Sequence, residues 1–432
     1  METELVVVGA GACGLMAAFA AARRGAEVLL LEKSTRVGCN TELASGSIPA
    51  AGTRWQRAAG IEGTAEQMAE DILRKNKGQA EREIVLALCR RSRDVVDLLA
   101  DEVGLPLALN TDAGRAGFSF LRLHNPPGRT GGPLVRALHA ALARLPNATF
   151  ADDTPGEGLL AEDGAVIGVR AGGETIRARK VVLACDGFGS NQEMLRRWIP
   201  EMAGVEHIGT RNNTGEGIRW GMALGAATAH MSGYQGHGYV CAGYGTRLSP
   251  EIPQLGAIFV NQDAERFTRD DQGYSEFARV VLAQPGGTAI AIFDQRIYDV
   301  VANTDHFKDT VASGALRRAE SVEALAAAFR LDAARLRATL EGRPLAPPFY
   351  GAKVTGALAH TQGGLKVDVH ARVLREDGRP IPNLYAGGGT AAGISGDGPD
   401  GYLSGNGLLS ALGLGLIAGE HAAAVLRQEV TH

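Results

Sequence analysis

The chain opens with two short apolar runs separated by a stretch of helical composition. Leu5–Val8 is apolar throughout, an Ala-rich stretch follows as far as Arg24, and a second apolar run, Val28–Leu31, ends at Glu32. This order predicts strand, helix and strand, because a short continuous apolar run is typical of a buried strand. The acidic residue stands where the second strand should end.

Similar patterns predict further elements along the chain. Residues 64–105 repeat apolar positions at helical spacing, and residues 132–145 predict another helix. Residues 165–184 predict a hairpin whose Gly-Gly turn leads into an apolar strand. A helix is expected to open near residue 214 and to reach residue 224.

The turn after the first strand carries the pattern GxGxxG at Gly9, Gly11 and Gly14. Gly9 permits the turn, Gly11 lets the backbone approach a pyrophosphate, and Gly14 lets the helix pack closely on the strand. The helix N-terminus supplies unpaired N–H groups for the phosphate, and Glu32 can accept hydrogen bonds from ribose hydroxyls. The flanking elements favour a dinucleotide site over a structural Gly-rich turn. Only this GxGxxG directly follows a predicted strand and opens a helix, so NAD(P)H is not expected as a second nucleotide.

The middle of the chain differs from both ends. Residues 230–350 contain scattered Tyr and Phe, whereas after residue 354 the chain again predicts strand, Gly-rich loop and helix. We therefore expect an α/β fold in which a discontinuous Rossmann-like domain, 1–230 and 353–432, is interrupted by an α+β capping domain, 231–352. A chain of 432 residues also exceeds what one hydrophobic core usually holds.

Composition limits the classes of partner. The net charge of −4 gives no reason to expect nucleic acid or an anionic membrane. The five cysteines lie far apart, which argues against a disulfide framework, an iron–sulfur cluster or a c-type haem; no metal site is expected. The longest apolar stretch, Leu408–Gly419, is too short and too Gly-rich to span a bilayer, and no signal peptide precedes the first strand. A cytoplasmic protein without a membrane span is expected.

Five further segments carry Gly-containing motifs. They are Gly38–Thr41 with Ala44–Ile48, Val181–Phe188, Asn213–Gly217, Asn383–Gly388 and Ser404–Leu409. Together they resemble motifs of the FAD-binding superfamily of fumarate reductase and succinate dehydrogenase flavoproteins, which includes the 3-ketosteroid Δ1-dehydrogenases. The resemblance covers nearly the whole chain. It implies FAD as the cofactor, held non-covalently because no His stands in the flavin loop.

The resemblance and the GxGxxG pattern together imply a set of FAD-binding residues. They are Gly9, Ala10, Gly11, Ala12, Cys13, Gly14, Glu32, Lys33, Ser34, Gly38, Cys39, Asn40, Thr41, Ser45, Gly46, Ser47, Ala184, Cys185, Asp186, Gly187, Asn213, Thr214, Glu216, Gly388, Gly389, Asn406, Leu408 and Leu409. Two of them depart from the family. Asp186 stands where Gly is usual, and Gly389 replaces the usual Glu, so one contact to the ribitol is expected to be missing.

Two positions separate the chain from fumarate reductases. Members of the superfamily that act on an alkane–alkene pair move a hydride to or from flavin N5 and a proton to or from the adjacent carbon. In fumarate reductases a proton-donating Arg follows an Arg-Phe pair by eight residues, and a carboxylate-binding Arg precedes the Asn of the last helix by four. Here Tyr274 follows Arg266 by eight, and Tyr402 precedes Asn406 by four. This replacement resembles the ketosteroid dehydrogenases.

That resemblance implies three catalytic groups. Tyr274 would remove the α-proton of a ketone, while the Tyr402 hydroxyl and the Gly405 N–H stabilise the enolate oxygen. A free Tyr has a pKa of about 10, so a neighbouring cation should lower the pKa of Tyr274, with Arg269 as one candidate. Interface packing for Tyr274 and an ordinary loop around Tyr402 remain the alternatives.

His124 and the pair His360-Thr361 resemble fumarate reductase residues that hold a substrate carboxylate, although each His can equally be structural. With Arg269 they are the expected substrate-binding residues. The sequence thus predicts an FAD-dependent desaturase of the Cα–Cβ bond next to the carbonyl of a small cyclic ketone or keto acid. The electron acceptor, the physiological direction and the oligomeric state stay open. The alternatives are a fumarate-, succinate- or tricarballylate-type dicarboxylate oxidoreductase and a non-catalytic flavin-binding redox partner.

Overall fold

The computed structural model describes residues 2–112, 114–270 and 272–430. Its strands are β1 (Glu2–Val8), β2 (Val28–Leu31), β3 (Ile48–Pro49), β4 (Ala108–Leu109), β5 (Leu123–Asn125), β6 (Ala148–Ala151), β7 (Gly156–Glu162), β8 (Ala165–Ala171), β9 (Glu174–Leu183), β10 (Thr228–Ala229), β11 (Tyr234–Cys241), β12 (Ile258–Val260), β13 (Thr288–Asp294), β14 (Arg317–Ala319), β15 (Phe349–Thr361), β16 (Gly364–Leu365), β17 (Arg372–Leu374) and β18 (Pro380–Ala386).

Its α-helices are α1 (Ala12–Ala22), α2 (Asn40–Leu43), α3 (Arg54–Ala58), α4 (Ala65–Lys75), α5 (Arg82–Asp101), α6 (Gly132–Leu142), α7 (Gln192–Trp198), α8 (Glu216–Ala223), α9 (Tyr274–Leu282), α10 (Gln295–Val301), α11 (Asp305–Ala312), α12 (Val322–Phe329), α13 (Ala333–Leu340) and α14 (Asn406–Val430). The short 3-10 turns are Pro127–Arg129, Pro200–Met202, Pro285–Gly287 and Gly388–Thr390.

The larger sheet has the strand order β17-β18-β9-β1-β2-β6, with β8 against β9 and β7 against β8. β1 pairs in parallel with β2 and β9, and β9 pairs in parallel with β18. The carboxyl ends of these strands therefore lie side by side, which is where open α/β sheets bind their ligands. The predicted α/β fold with a Rossmann-like sheet is confirmed.

The elements predicted from local patterns are present. Residues 64–105 form α4 and α5, residues 132–145 contain α6, and the predicted hairpin is β8 with β9. The helix expected near residue 214 is α8. These segments were predictable because each buries a regularly spaced set of side chains.

The last helix covers the first. α1 is buried along its whole length, and α14 packs along it. By length and composition the segment Asn406–Glu429 could cross a membrane, and it is longer than the apolar stretch singled out in the sequence, yet 67% of its most apolar window is buried inside the fold. This burial is typical of the core helix of a globular protein.

The second sheet has the order β11-β15-β13-β12, with β14 against β15. Its strands lie between Tyr234 and Thr361, and α9 packs against β11 and β15. Aromatic rings fill the space below it, with Tyr239 stacked on Phe259 at 4.9 Å between centroids. The boundaries given above for a capping domain stay a prediction.

Candidate active site

One continuous cavity runs from the carboxyl ends of the larger sheet to the face of the second sheet. Gly11 and Glu32 line one end of it, and Arg247 and Tyr274 line the other. A ligand bound at the dinucleotide end therefore shares its space with any molecule held beside the second sheet.

The turn between β1 and α1 is shaped for a phosphate. Gly9 has φ +103°, and a Cβ on it would lie 2.3 Å from the Ala184 carbonyl oxygen; a Cβ on Gly14 would lie 1.7 Å from the Gly9 oxygen. A Cβ on Gly11 would meet no atom closer than 3.7 Å, since that residue borders the cavity. α1 has neither a side-chain cap nor an acidic residue in its first turn, so its positive end can face a pyrophosphate.

Two charged side chains after β2 complete this end. The Glu32 carboxylate accepts hydrogen bonds from the Ala10 N–H at 2.8 Å and the Ser34 N–H at 3.0 Å, which holds the turn in place. Lys33 Nζ bonds to Glu216 at 2.8 Å. The side chain of Trp220 also lines the cavity here, a residue that no sequence pattern pointed to.

Most of the residues predicted to bind FAD line the cavity. They are Gly9, Gly11, Ala12, Cys13, Glu32, Lys33, Gly38, Cys39, Asn40, Thr41, Ser45, Ser47, Ala184, Cys185, Asp186, Glu216, Gly388, Gly389 and Leu408. The others lie behind this lining: Ala10, Gly14, Ser34, Gly46, Gly187, Asn213, Thr214, Asn406 and Leu409. These residues fit a dinucleotide, because they leave an open backbone turn and a helix end beside a long cavity.

Tyr274 and Tyr402 meet on the wall of the cavity. Their rings stand edge-on with centroids 6.2 Å apart. The Tyr274 hydroxyl accepts a hydrogen bond from Gln235 Nε2 at 3.3 Å, and the Tyr402 hydroxyl accepts one from the Gly407 N–H at 3.4 Å. Gly405 lines the same space. The structure thus brings together the three groups predicted to be catalytic.

The electrostatic surroundings of Tyr274 differ from those expected. Burial raises the pKa of Tyr274 above its usual value, although hydrogen bonds from Ser404 and Tyr402 and the charges of Arg115 and Arg247 act in the opposite direction. The prediction of a lowered pKa is therefore wrong. Burial likewise raises the pKa of Tyr402, followed by the charge of Tyr274. Both phenols hold their protons at neutral pH.

Arg269, the cation proposed from the sequence, is exposed and does not line the cavity. Arg115, Arg129 and Arg247 do. Arg115 pairs with Glu251 at 3.3 Å, and Arg129 contacts the same carboxylate at 3.5 Å. Sequence reasoning missed all three, because they lie in irregular segments or, for Arg129, at the end of a short 3-10 turn, where no periodic pattern marks them.

Arg247 has a different set of partners. Its Nη2 donates to the Leu43 carbonyl oxygen and lies 2.7 Å from His306 Nε2. Burial, and then the charge of Arg247, lowers the pKa of His306 to about 4, so this His is neutral. Burial also lowers the pKa of Arg247 to about 10, which leaves it cationic at pH 7. Within residues 2–112, 114–270 and 272–430, no carboxylate lies at ion-pair distance from it.

The predicted substrate-binding histidines separate in the structure. His360 and Thr361 line the cavity, and the His360 ring stands edge-on to Tyr402 at 5.7 Å. His124 does not line the cavity. It is fully buried, with Nε2 2.9 Å from Thr53 Oγ1 and Nδ1 3.1 Å from the Arg122 carbonyl oxygen. The expectation for His124 is corrected to a structural role.

Comparison with known proteins agrees with this geometry. Residues 4–408 match the FAD binding domain family. The chain is 29% identical to a probable fumarate reductase, Ifc3, of Shewanella frigidimarina, over 98% of this chain and 75% of that protein. Two solved structures share the fold. They are the open conformation of a flavocytochrome c3 fumarate reductase (TM-score 0.82, 28% identity, 98% of this chain and 78% of that one) and 3-ketosteroid-Δ4-(5α)-dehydrogenase from Rhodococcus jostii RHA1 (TM-score 0.77, 26% identity, 98% and 97%).

Proposed function

We propose that this chain, which belongs to the FAD binding domain family and is an FAD-dependent oxidoreductase of CH–CH bonds, acts on the Cα–Cβ bond next to the carbonyl group of a small keto acid. The observation that carries the proposal is the pair of phenols, Tyr274 and Tyr402, on the wall of the cavity that continues from the dinucleotide end. When bound, FAD supplies hydride transfer at its N5 atom.

Tyr402 and the Gly405 N–H would hold the carbonyl oxygen. Two donors at this oxygen stabilise the negative charge that develops there, and removal of one such donor typically costs about 3 kcal/mol of barrier. The raised pKa of Tyr402 keeps its proton available for this hydrogen bond. The N–H of Gly407 donates to the phenol oxygen, which helps to orient the hydroxyl.

Tyr274 would carry the proton at Cα. Because its pKa is raised, the phenol is protonated at neutral pH and is suited to donate a proton while the double bond is reduced. Desaturation, the direction expected from the sequence, requires Tyr274 to lose that proton first. We therefore expect reduction of the double bond to be the faster direction at neutral pH. The rate of desaturation should rise at alkaline pH.

Arg247 would bind the carboxylate of the substrate. A partly buried guanidinium that has no anionic partner among the described residues is unfavourable, and a bidentate carboxylate offsets that cost. The partners of Arg247 are a carbonyl oxygen and a neutral His, so a substrate carboxylate completes its hydrogen bonding. This supports a keto acid in preference to a neutral ketone.

The second candidate is reduction of a dicarboxylate such as fumarate. The same Arg247 favours it, together with His360 beside Tyr402, because these groups could hold two carboxylates at opposite ends of a short molecule. The two phenols favour the keto acid, since a ketone oxygen needs neutral donors rather than a second cation.

Anaerobic reoxidation of the photoreduced holoenzyme separates the candidates. Oxocyclohexenecarboxylate, cyclohexenone and fumarate are each mixed with the reduced protein, and the return of the flavin absorbance is followed by stopped flow. We expect the fastest return with oxocyclohexenecarboxylate. Return with fumarate alone would favour the second candidate, and no return with any of the three would contradict both.

A further inference from the structure

The ends of β9 and β18 lie side by side at the cavity. The two strands pair in parallel with Leu183 opposite Ala386. Asp186 and Gly389 each follow these partners by three residues, so they occupy equivalent positions beyond the ends of neighbouring strands. In the family that the motifs resemble, the first position is usually Gly and the second usually Glu. This chain has the reverse arrangement.

The Asp186 carboxylate fills the space in which a side chain at position 389 would begin. A Cβ placed on Gly389 would lie 2.4 Å from Asp186 Oδ1 and 2.6 Å from the Gly187 backbone nitrogen. Contacts this short require the Asp186 side chain and the Gly187 backbone to move, so a side chain at 389 is disfavoured while the Asp186 carboxylate holds its position. The two departures from the family therefore meet in one volume.

Asp186 is held firmly despite an unfavourable backbone conformation. Its φ of +65° lies in the left-handed region, which residues other than glycine rarely adopt. Asn40 Nδ2 donates to Oδ2 at 2.7 Å, and the Gly187 N–H donates to Oδ1 at 2.8 Å. Each oxygen has accepted one hydrogen bond and can accept another, and Asp186 lines the cavity.

We propose that Asp186 is the carboxylate with which this chain binds the ribityl hydroxyls of FAD, supplied from the end of β9 in place of the Glu that Gly389 lacks. Asp186 and Gly389 form a matched pair: the glycine provides the space, and the aspartate fills it. The contact that the sequence marked as missing is thus provided by the neighbouring strand. Backbone strain at a polar residue of this kind is typical of ligand-binding positions.

A double-mutant cycle tests the exchange. Asp186→Gly, Gly389→Glu and the double variant are purified as holoenzymes, and FAD dissociation constants are measured from free-flavin fluorescence on dilution. Asp186→Gly should weaken FAD binding about tenfold, as for loss of one hydrogen bond. Gly389→Glu alone should also weaken it, because two carboxylates then compete for one space. The double variant should bind FAD more tightly than Gly389→Glu, because the Asp186 carboxylate no longer opposes the new side chain and only the Gly187 backbone does.

Asp186→Asn serves as the matched variant that keeps the side-chain shape. We expect it to weaken FAD binding by severalfold while the unfolding temperature of the FAD-free protein stays that of the parent. Wild-type affinity in both Asp186→Gly and Asp186→Asn would overturn the proposal. So would a double variant that binds FAD no better than Gly389→Glu. FAD affinity requires no substrate, so this outcome is independent of the proposed reaction.

Discussion

The ring of Tyr274 stands edge-on to the ring of Tyr402, with centroids 6.2 Å apart and planes at 76°. Tyr274 begins α9, which packs on the second sheet, whereas Tyr402 lies in the loop before α14, which packs along α1. The pair therefore forms only when both layers of the protein are in place. A change in the packing of α9 against β11 and β15 should therefore shift Tyr274 relative to Tyr402.

The raised pKa of Tyr274 predicts opposite pH profiles for the two directions. Reduction uses the protonated phenol, so its rate should be level through neutral pH and fall only at alkaline pH, as the pH passes the raised pKa of Tyr274. Desaturation uses the phenolate, so its rate should rise with pH up to that pKa. Stopped-flow rates for both directions test this, and a reduction rate that already falls near neutral pH would contradict it.

Tyr402→Phe should slow the reaction while leaving FAD bound. The ring is retained and one donor to the carbonyl oxygen is lost, so kcat/KM for the keto acid should fall about 100-fold. Tyr244, which is 45% exposed and does not line the cavity, provides the matched control. Tyr244→Phe should keep the parent value. An equal effect of the two substitutions would remove Tyr402 from the oxyanion site.

Arg247→Gln should discriminate between substrates. Loss of a charged hydrogen-bond partner typically costs 10- to 100-fold, or about 1.5–3 kcal/mol, and this loss should appear as a higher KM for oxocyclohexenecarboxylate. The KM for cyclohexenone, which has no carboxylate, should change much less. A parallel rise for both compounds would indicate a general disturbance of the site.

Gly14→Ala should disrupt the dinucleotide end. The new Cβ would lie 1.7 Å from the Gly9 oxygen, so α1 must move away from β1, and such overpacking costs about 1–3 kcal/mol. Gly114→Ala is the control, because a Cβ at Gly114 meets nothing within 4 Å. Thermal unfolding and FAD content should fall for the first variant only. A Gly14→Ala protein with full FAD content would show that the turn tolerates a side chain.

The nucleotide-binding end was predictable from the sequence because its signals are local. The β1–α1–β2 unit combines two apolar runs with a GxGxxG turn inside thirty-four residues, and each glycine has a steric reason that holds wherever that turn occurs. Tyr274 and Tyr402 were found by their spacing along the sequence from family motifs, which is also local information.

The features of the site that the sequence did not predict depend on tertiary packing. Arg247 reaches His306 of α11 across 59 positions of sequence, and no periodic pattern connects the two segments. The pKa of Tyr274 is a sum over burial and distant charges, which spacing cannot supply. His124 was predicted to bind substrate because its motif resembles a binding segment of the family. The fold instead buries its ring against Thr53.

Tyr274→Phe removes the phenol oxygen and keeps the ring, so it isolates the proton transfer assigned to Tyr274. The measurement is the single-turnover reoxidation of the reduced holoenzyme by oxocyclohexenecarboxylate, with ligand affinity taken from the concentration dependence of the rate. We expect the rate to fall by about 100-fold or more, with FAD content and ligand affinity unchanged. Reoxidation at the parent rate would contradict Tyr274 as the group that moves the proton.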